Sequence, residues 1–535
     1  MEKLSPTARM IIFVAIAFAF MSVYQQYFVQ PQSVAASQAR QGEQEGKSAS
    51  DPNAAPIASA SPNTAAQPPA SSQPTDRVIA VVTTAIGELK IDELGRVAQA
   101  TLSGSVFKGE NSEQTALFNQ RNARALEIRF TDKPVNTQAF NTAYVASASE
   151  IDASAASADL TLTQTLNESN LTIVKELRFY PDGHYDFSVK LSRATEYFVT
   201  TGFRPDAASD PMTIQGALVH TSSGAIETIE EGEAIEGQSF KNARMVSAFD
   251  RYYATLFFNY ETPFNVVVSR VGDGAPLAFV KPLDGADFAA SGYIGPKYVD
   301  KLRAINPELT AAVEYGFFTF LSKPLFVALE WIYSLVPNWG WAIVIFTILV
   351  KIVLFPLSHK GMVSMSKLKD LAPKMKELQE RYKDDKQKLQ THMMELYKKH
   401  GANPLGGCLP LLLQIPIFFA IYRVLLNAIE LKGAEWLYIG DLSMKDPFFV
   451  LPLLMGATMW FQQRITPSNF TDPMQAKLFR WLPVVFTVFF LFFPAGLVLY
   501  WLVNNIISIG QQWFVNKSVQ AAKEINKSDS NNEKN

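Results

Sequence analysis

Four long, nearly uncharged apolar runs crowd the C-terminal third of this 535-residue chain, and they leave it few folds to choose from. About 20 apolar helical residues cross a hydrocarbon core of about 30 Å. Inside lipid every backbone amide must be satisfied within the segment, which restricts such runs to helices. Trp339 to Leu357 is the clearest run, opened by the interfacial pair Trp339 and Trp341 and closed near Pro356. Leu409 to about Ile429 and Pro447 to about Phe461 follow. Hydropathy alone reads Trp481 to Val503 as a single span. A turn at Pro494-Ala495-Gly496 would divide it, so that residues before the turn cross outward and Leu497 to Phe514 cross back. A further uncharged run, Met10 to Val29, follows Lys3 and Arg9 and is too long for an ordinary signal-peptide core, so it reads as an uncleaved anchor. The expectation is a polytopic α-helical membrane protein of six spans.

Charge sets the orientation. Residues Ser358 to His400 carry eleven Lys and Arg against six Asp and Glu, which marks the cytoplasmic side. Lys517, Lys523 and Lys527 fall on the same side once the turn at Pro494 is counted, so both termini are expected in the cytoplasm. In the basic segment Leu368, Leu371, Met375, Leu378 and Tyr382 recur at helical spacing, and Leu389, Met393 and Leu396 recur after a polar break. These predict a cytoplasmic helical hairpin over 358–402. Its basic excess suits lipid headgroups or ribosomal RNA, although most of the charges are a solvated face. Ahead of the first core span, Ala311 to Tyr333 is aromatic but keeps Glu314, Lys323, Pro324 and Glu330, as befits a helix lying in the outer interface.

The N-terminal half is different in kind. After the anchor (1–30), residues 31–76 are rich in Ala, Ser, Gln and Pro and read as a disordered linker. From 77 to 305, β-rich runs such as Val78 to Thr84, Leu171 to Tyr180, Tyr185 to Leu191, Tyr252 to Tyr260 and Phe264 to Val271 alternate with turn signals, the best being Pro181-Asp182-Gly183. A large periplasmic antiparallel β-sandwich is expected there. The membrane core then occupies 306–535, ending in a basic tail. A single cysteine, Cys408, rules out an intrachain disulfide or a cysteine cluster. Phosphate-loop, GxSxG and HExxH motifs are missing from the sequence, so no catalytic role, cofactor or metal is expected.

Lys351 is the most informative residue. It lies about two turns from the cytoplasmic end of its span, where a charge costs roughly 2.5–3.5 kcal/mol on insertion scales. Snorkelling to the headgroups would explain it alone. Thr347 on the same face, Gln414 at similar depth in the next span, and Asn504 and Asn505 in the last give it polar company. If they converge, they enclose a wet, positively charged cavity in the inner leaflet. Arg423, nearer the outer end of its span, is read as snorkelling.

The stretch Asn403 to Phe419 (NPLGGCLPLLLQIPIFF), the run Phe493 to Trp501 (FPAGLVLYW), and Lys351 followed by Phe355-Pro-Leu-Ser358 closely resemble the YidC/Oxa family of membrane insertases. The resemblance spans the whole architecture. It implies a five-helix core around a hydrophilic groove open to cytoplasm and lipid, in which a positive charge receives the hydrophilic part of a substrate. By motif position that charge is Lys351; many members carry arginine there, and lysine offers a point charge without a bidentate fork. The resemblance further implies that Thr347 and Gln414 face the groove and that Phe418, Phe489, Tyr500 and Trp501 line the path of a substrate helix. The partners it implies are nascent membrane proteins, the lipid bilayer, the ribosome through the hairpin and tail, and the Sec translocon (SecYEG with accessory SecDF). The expected activity is insertion and chaperoning of inner-membrane proteins. A solute transporter fits poorly without an internal repeat, and an enzyme tethered outside the membrane would need catalytic residues between Arg77 and Leu283.

Overall fold

A computed structural model describes residues 77–104, 115–118, 123–208, 213–282, 287–313, 319–382, 385–400, 404–466 and 473–532. The expected anchor and linker lie outside the described residues. The chain divides into two compact units, Met1–Glu314 and Tyr315–Asn535.

The first unit is β-rich. Strands Val78–Thr84, Gly87–Asp92, Val97–Leu102 and Glu150–Ala153 make a four-stranded sheet. The other described strands join a 13-stranded sheet, antiparallel at every pairing. Its two layers share one long strand, Gln238–Phe249. The first residues of that strand pair with Phe264–Val271, and its last, Met245 to Phe249, pair with Tyr253–Phe258. The change of partner falls at a register break around Asn242, whose φ of 54° bends the strand. A strand that changes sheets at a bend forms the corner of a sandwich. Aromatic rings fill the core: Phe187 lies 4.8 Å from Phe257 and 5.6 Å from Phe288.

The Pro181-Asp182-Gly183 turn joins Leu171–Phe179 to His184–Leu191 as expected, with Gly183 at φ 88°. Along Leu171–Phe179 the inward positions are Leu171, Ile173, Lys175, Leu177 and Phe179. Buried Lys175 is satisfied by donating to the carbonyls of Gly95 and Leu126, at 2.8 Å each. It thereby ties the large sheet to the small one, beside a buried cluster in which Arg96 bridges Asp92 and Glu127.

Helix α1 (Lys133–Asn141) and helix α2 (Val299–Ile305) belong to this unit. The second unit is helical: α3 (Thr319–Leu335), α4 (Trp339–Arg381), α5 (Lys386–Lys399), α6 (Pro404–Asn427), α7 (Val450–Ile465), α8 (Pro473–Phe490) and α9 (Ala495–Asn532). Among the described residues Trp339–Ser366 is long and apolar enough to cross a membrane by itself, while Gln414–Asn427 and Phe479–Phe490 are apolar but shorter.

Several features differ from expectation. Pro356 does not end its helix, because α4 runs on through Pro356 and Pro373 to Arg381. A proline deletes one ladder bond and bends the axis, and here the helical turns resume beyond it. The first arm of the hairpin is therefore the end of α4 itself. It packs Leu371 and Met375 against Met393, Leu396 and Tyr397 of α5. The helix after the outer loop starts at Val450 rather than Pro447, because Asp446 accepts from the amides of Phe448 and Leu451 and so fixes the start. Arg423 is buried and engaged with a partner, not stretched toward headgroups. Of the helix expected over 311–333, the described part is α3, which starts at Thr319, while Ala311 and Ala312 end a 3-10 helix, Pro307–Ala312. Helix α3 packs Phe326, Leu329 and Ile332 inward and leaves Phe320 and Trp331 exposed. Trp481 to Val503 is not one helix; α8 stops at Phe490 and α9 begins after Pro494.

Candidate functional site: the Lys351 face of the helical unit

Helix α4 packs against α3, α6 and α9, α9 against α7, and α7 against α8. Helix α6 meets α9 and the turn before it through aromatic rings. Tyr422 of α6 lies 6.3 Å from Phe493, and Phe418 sits edge-on to Trp501 of α9 at 4.5 Å.

One end of this arrangement is sealed. At the start of α4, Asn338 caps the helix by accepting from the Trp341 amide and donates to the Glu435 carbonyl in the loop after α6. The Trp436 indole lies against Gly340, where any Cβ would collide with it. The same loop holds the start of α9: the amides of Ala495 and Gly496 donate to the carbonyls of Met444 and Leu442, at 2.7 and 2.9 Å. Those are among the first amides of α9, which no helical carbonyl can satisfy. Gly496 also allows the close approach.

Lys351 lies twelve residues into α4 from Trp339, about 18 Å along the axis from the sealed end. Its surroundings reverse the polarity of a water-soluble helix. Lys351 is 9% exposed, whereas its neighbours Ile352 and Val353 are 62% and 76% exposed. Exposed apolar surface on this scale would promote aggregation in water and is stable only in lipid. Lys351 Nζ donates to Ser508 Oγ of α9 at 2.9 Å. No carboxylate lies within ion-pairing distance of it among the described residues.

The other expected groove residues are placed as follows. Thr347 is 1% exposed, and its hydroxyl donates to the Ile343 carbonyl of its own helix at 2.7 Å, so it offers the interior a methyl as much as an oxygen. Gln414 is half-buried and its side chain pairs with the Tyr500 hydroxyl. Asn505 is buried with its amide nitrogen unpartnered, and Asn504 contributes a carbonyl to Ser508. Of the expected sliding surface, Phe418 and Trp501 are half-buried and in mutual contact, Phe489 is exposed beside Phe493 at 4.6 Å, and Tyr500 is buried, turned inward onto Gln414.

Trp501, Asn505, Ser508 and Gln512 recur at helical spacing and form one stripe of α9. Trp501 Nε1 and Asn505 Nδ2 are buried without partners, while Gln512 donates to Asn516. Ser508, Gln511 and Gln512 escaped the sequence reading. The spacing from Asn505 was a usable signal for Ser508 and Gln512.

Residues 331–523 match the family described as 60Kd inner membrane protein, and residues 79–328 match the YidC periplasmic domain. A protein from Wolinella succinogenes named Membrane protein insertase YidC is 48% identical over 98% of this chain and 97% of its own. One of the same name from Campylobacter jejuni is 48% identical over 95% of this chain and 96% of its own. A solved structure described as an active YidC insertase aligns over 81% of this chain and 93% of its own at 18% identity, with a TM-score of 0.36, too low to carry the fold. Identity near one half across nearly the full length settles descent: the chain belongs to the YidC/Oxa family of membrane protein insertases.

Proposed function

We propose that this protein inserts other polypeptides into the bacterial inner membrane, folds and helps assemble them, and does so through an inner-leaflet groove around Lys351. One observation carries the reading: a buried lysine with no carboxylate partner among the described residues, on a helix whose adjacent residues face lipid. A buried charge is ordinarily paired. Lys351 is held by a neutral hydroxyl instead, which leaves its charge for a visitor.

The work then follows from the cost of moving polar chain through hydrocarbon. A groove open to cytoplasm and lipid shortens the low-dielectric distance that an acidic tail must cross, and Lys351 attracts that tail. The sealed end beneath the outer loop blocks a straight passage, so an apolar segment leaves sideways, gaining transfer energy in lipid. The membrane potential contributes about 2.3 kcal/mol per charge per 100 mV toward moving the tail outward. No nucleotide is required. Phe418, Phe489 and Trp501 supply an aromatic flank for the emerging helix.

In this reading both termini and the hairpin 358–402 are cytoplasmic, residues 77–305 form a periplasmic domain, and 306–535 form the insertase core. The hairpin and basic tail dock the ribosome and anionic lipid, and the Sec translocon with SecDF is the partner in assembly. Lys351→Glu is expected to abolish insertion of single-span substrates with acidic tails, measured by protease protection in reconstituted vesicles. Normal insertion by that variant would sink the charge-attraction step. Crosslinks from Phe418 and Phe489 to nascent chains before their release from the translocon distinguish direct insertion from later assembly.

A further inference from the structure

The group that holds the groove's cation is one hydroxyl, and that hydroxyl is itself held. Lys351 Nζ donates to Ser508 Oγ at 2.9 Å, and the Ser508 hydroxyl donates to the Asn504 carbonyl one turn back on α9 at 2.7 Å. Ser508 is 5% exposed. A hydroxyl carries a single hydrogen. With that hydrogen committed to Asn504, the oxygen presents only lone pairs toward α4. It can accept from an ammonium and cannot compete with it for an anion.

A lysine ammonium has no planar fork to fix its direction, and its four-carbon stem is flexible. Left alone, the stem of Lys351 would extend along the lipid-facing side of α4, past Ile352, to reach headgroups. We infer that Ser508 is a positioning residue: it pins the ammonium at the α4–α9 contact, leaving the remaining two N–H groups to receive a substrate carboxylate. This rests on Lys351 being the substrate's cation, as proposed above. Ser508 supplies from a second helix the orientation that lysine lacks.

The test uses the full chain reconstituted in vesicles of phosphatidylethanolamine and phosphatidylglycerol. The substrate is a single-span protein in two forms, one with an acidic tail and one with the same acids changed to amides. The readout is the ratio of acidic-tailed to amide-tailed insertion, which a general loss of folded protein does not move. Ser508→Ala is expected to lower the ratio roughly 10- to 150-fold, the range for a lost hydrogen bond to a charged group. Ser508→Thr keeps the hydroxyl and is expected to restore it. Lys351→Met lowers the ratio by itself, and adding Ser508→Ala to it is expected to change nothing further, since the hydroxyl acts through the ammonium. An unmoved ratio in Ser508→Ala, or an equal further drop in the Lys351→Met background, overturns the positioning role while leaving Lys351's role standing. An unmoved ratio in Lys351→Met overturns both.

Discussion

Lys351 and Lys175 are both buried lysines, and their environments differ in kind. Lys175 rests in a protein interior, donating to two carbonyls and lying 4.5 Å from the ring of Tyr144, with burial pulling its ammonium from an ordinary 10.5 down to about 7. Between those values the unfolded chain binds a proton that the folded chain does not, so stability rises with pH from about 7 toward 10.5. Denaturant unfolding at about pH 7 and about pH 9 is expected to show the β unit gaining stability at the higher pH. Lys175→Met is expected to remove most of that gain, and a gain of equal size in the variant would assign it elsewhere. Lys175 could have been found in the sequence, because strict alternation along Leu171–Phe179 puts it on the inward face. Lys351 was legible as a charge in an apolar run. Its partner Ser508 could be placed on the polar stripe of α9 by its spacing from Asn505, but its pairing with Lys351 could not, since the two stand 157 positions apart.

At the level of elements, composition and periodicity located the helices of the second unit and five of the strands, and misjudged how some of them end. Proline was read as a stop at Pro356, yet α4 continues, because neighbouring turns outweigh one missing bond. The corner at Asn242 and the lock between the outer loop and the start of α9 depend on tertiary hydrogen bonds and have no local pattern. Two elements invite direct tests. Asp446, 1% exposed, accepts from Tyr438 Oη at 2.8 Å, from the Phe448 amide just before α7 and from the Leu451 amide in its first turn. Asp446→Ala is expected to cost about 1–2 kcal/mol, as lost helix caps do. A thermal midpoint in detergent equal to that of the parent would show that the cap contributes nothing. Where α7 crosses α8, Gly456 lies against Thr487, and a Cβ would overlap the threonine hydroxyl. Gly456→Ala is expected to destabilise by about 1–3 kcal/mol, as overpacked cores do. Thr487→Ala should recover part of the loss, and no recovery would place the strain elsewhere.

The whole molecule is two units with separate cores, one aromatic and β, the other helical with many large apolar side chains exposed as well as buried. Domains with separate cores can unfold separately. Phe257, fully buried against Phe187, is a handle on the first alone. Phe257→Ala is expected to cost about 3–5 kcal/mol and lower only the β transition in a calorimetric scan. A matching fall in the helical transition would mean that the units melt as one. The division into a polar β half and an apolar helical half was plain from composition, whereas which faces turn inward within the second half required the fold. Its longest member, α4, joins Lys351 to the hairpin tip in one unbroken rod of 43 residues, about 65 Å in length. Whatever grips that tip therefore holds the same helix that carries the cation, with Pro356 and Pro373 between the two.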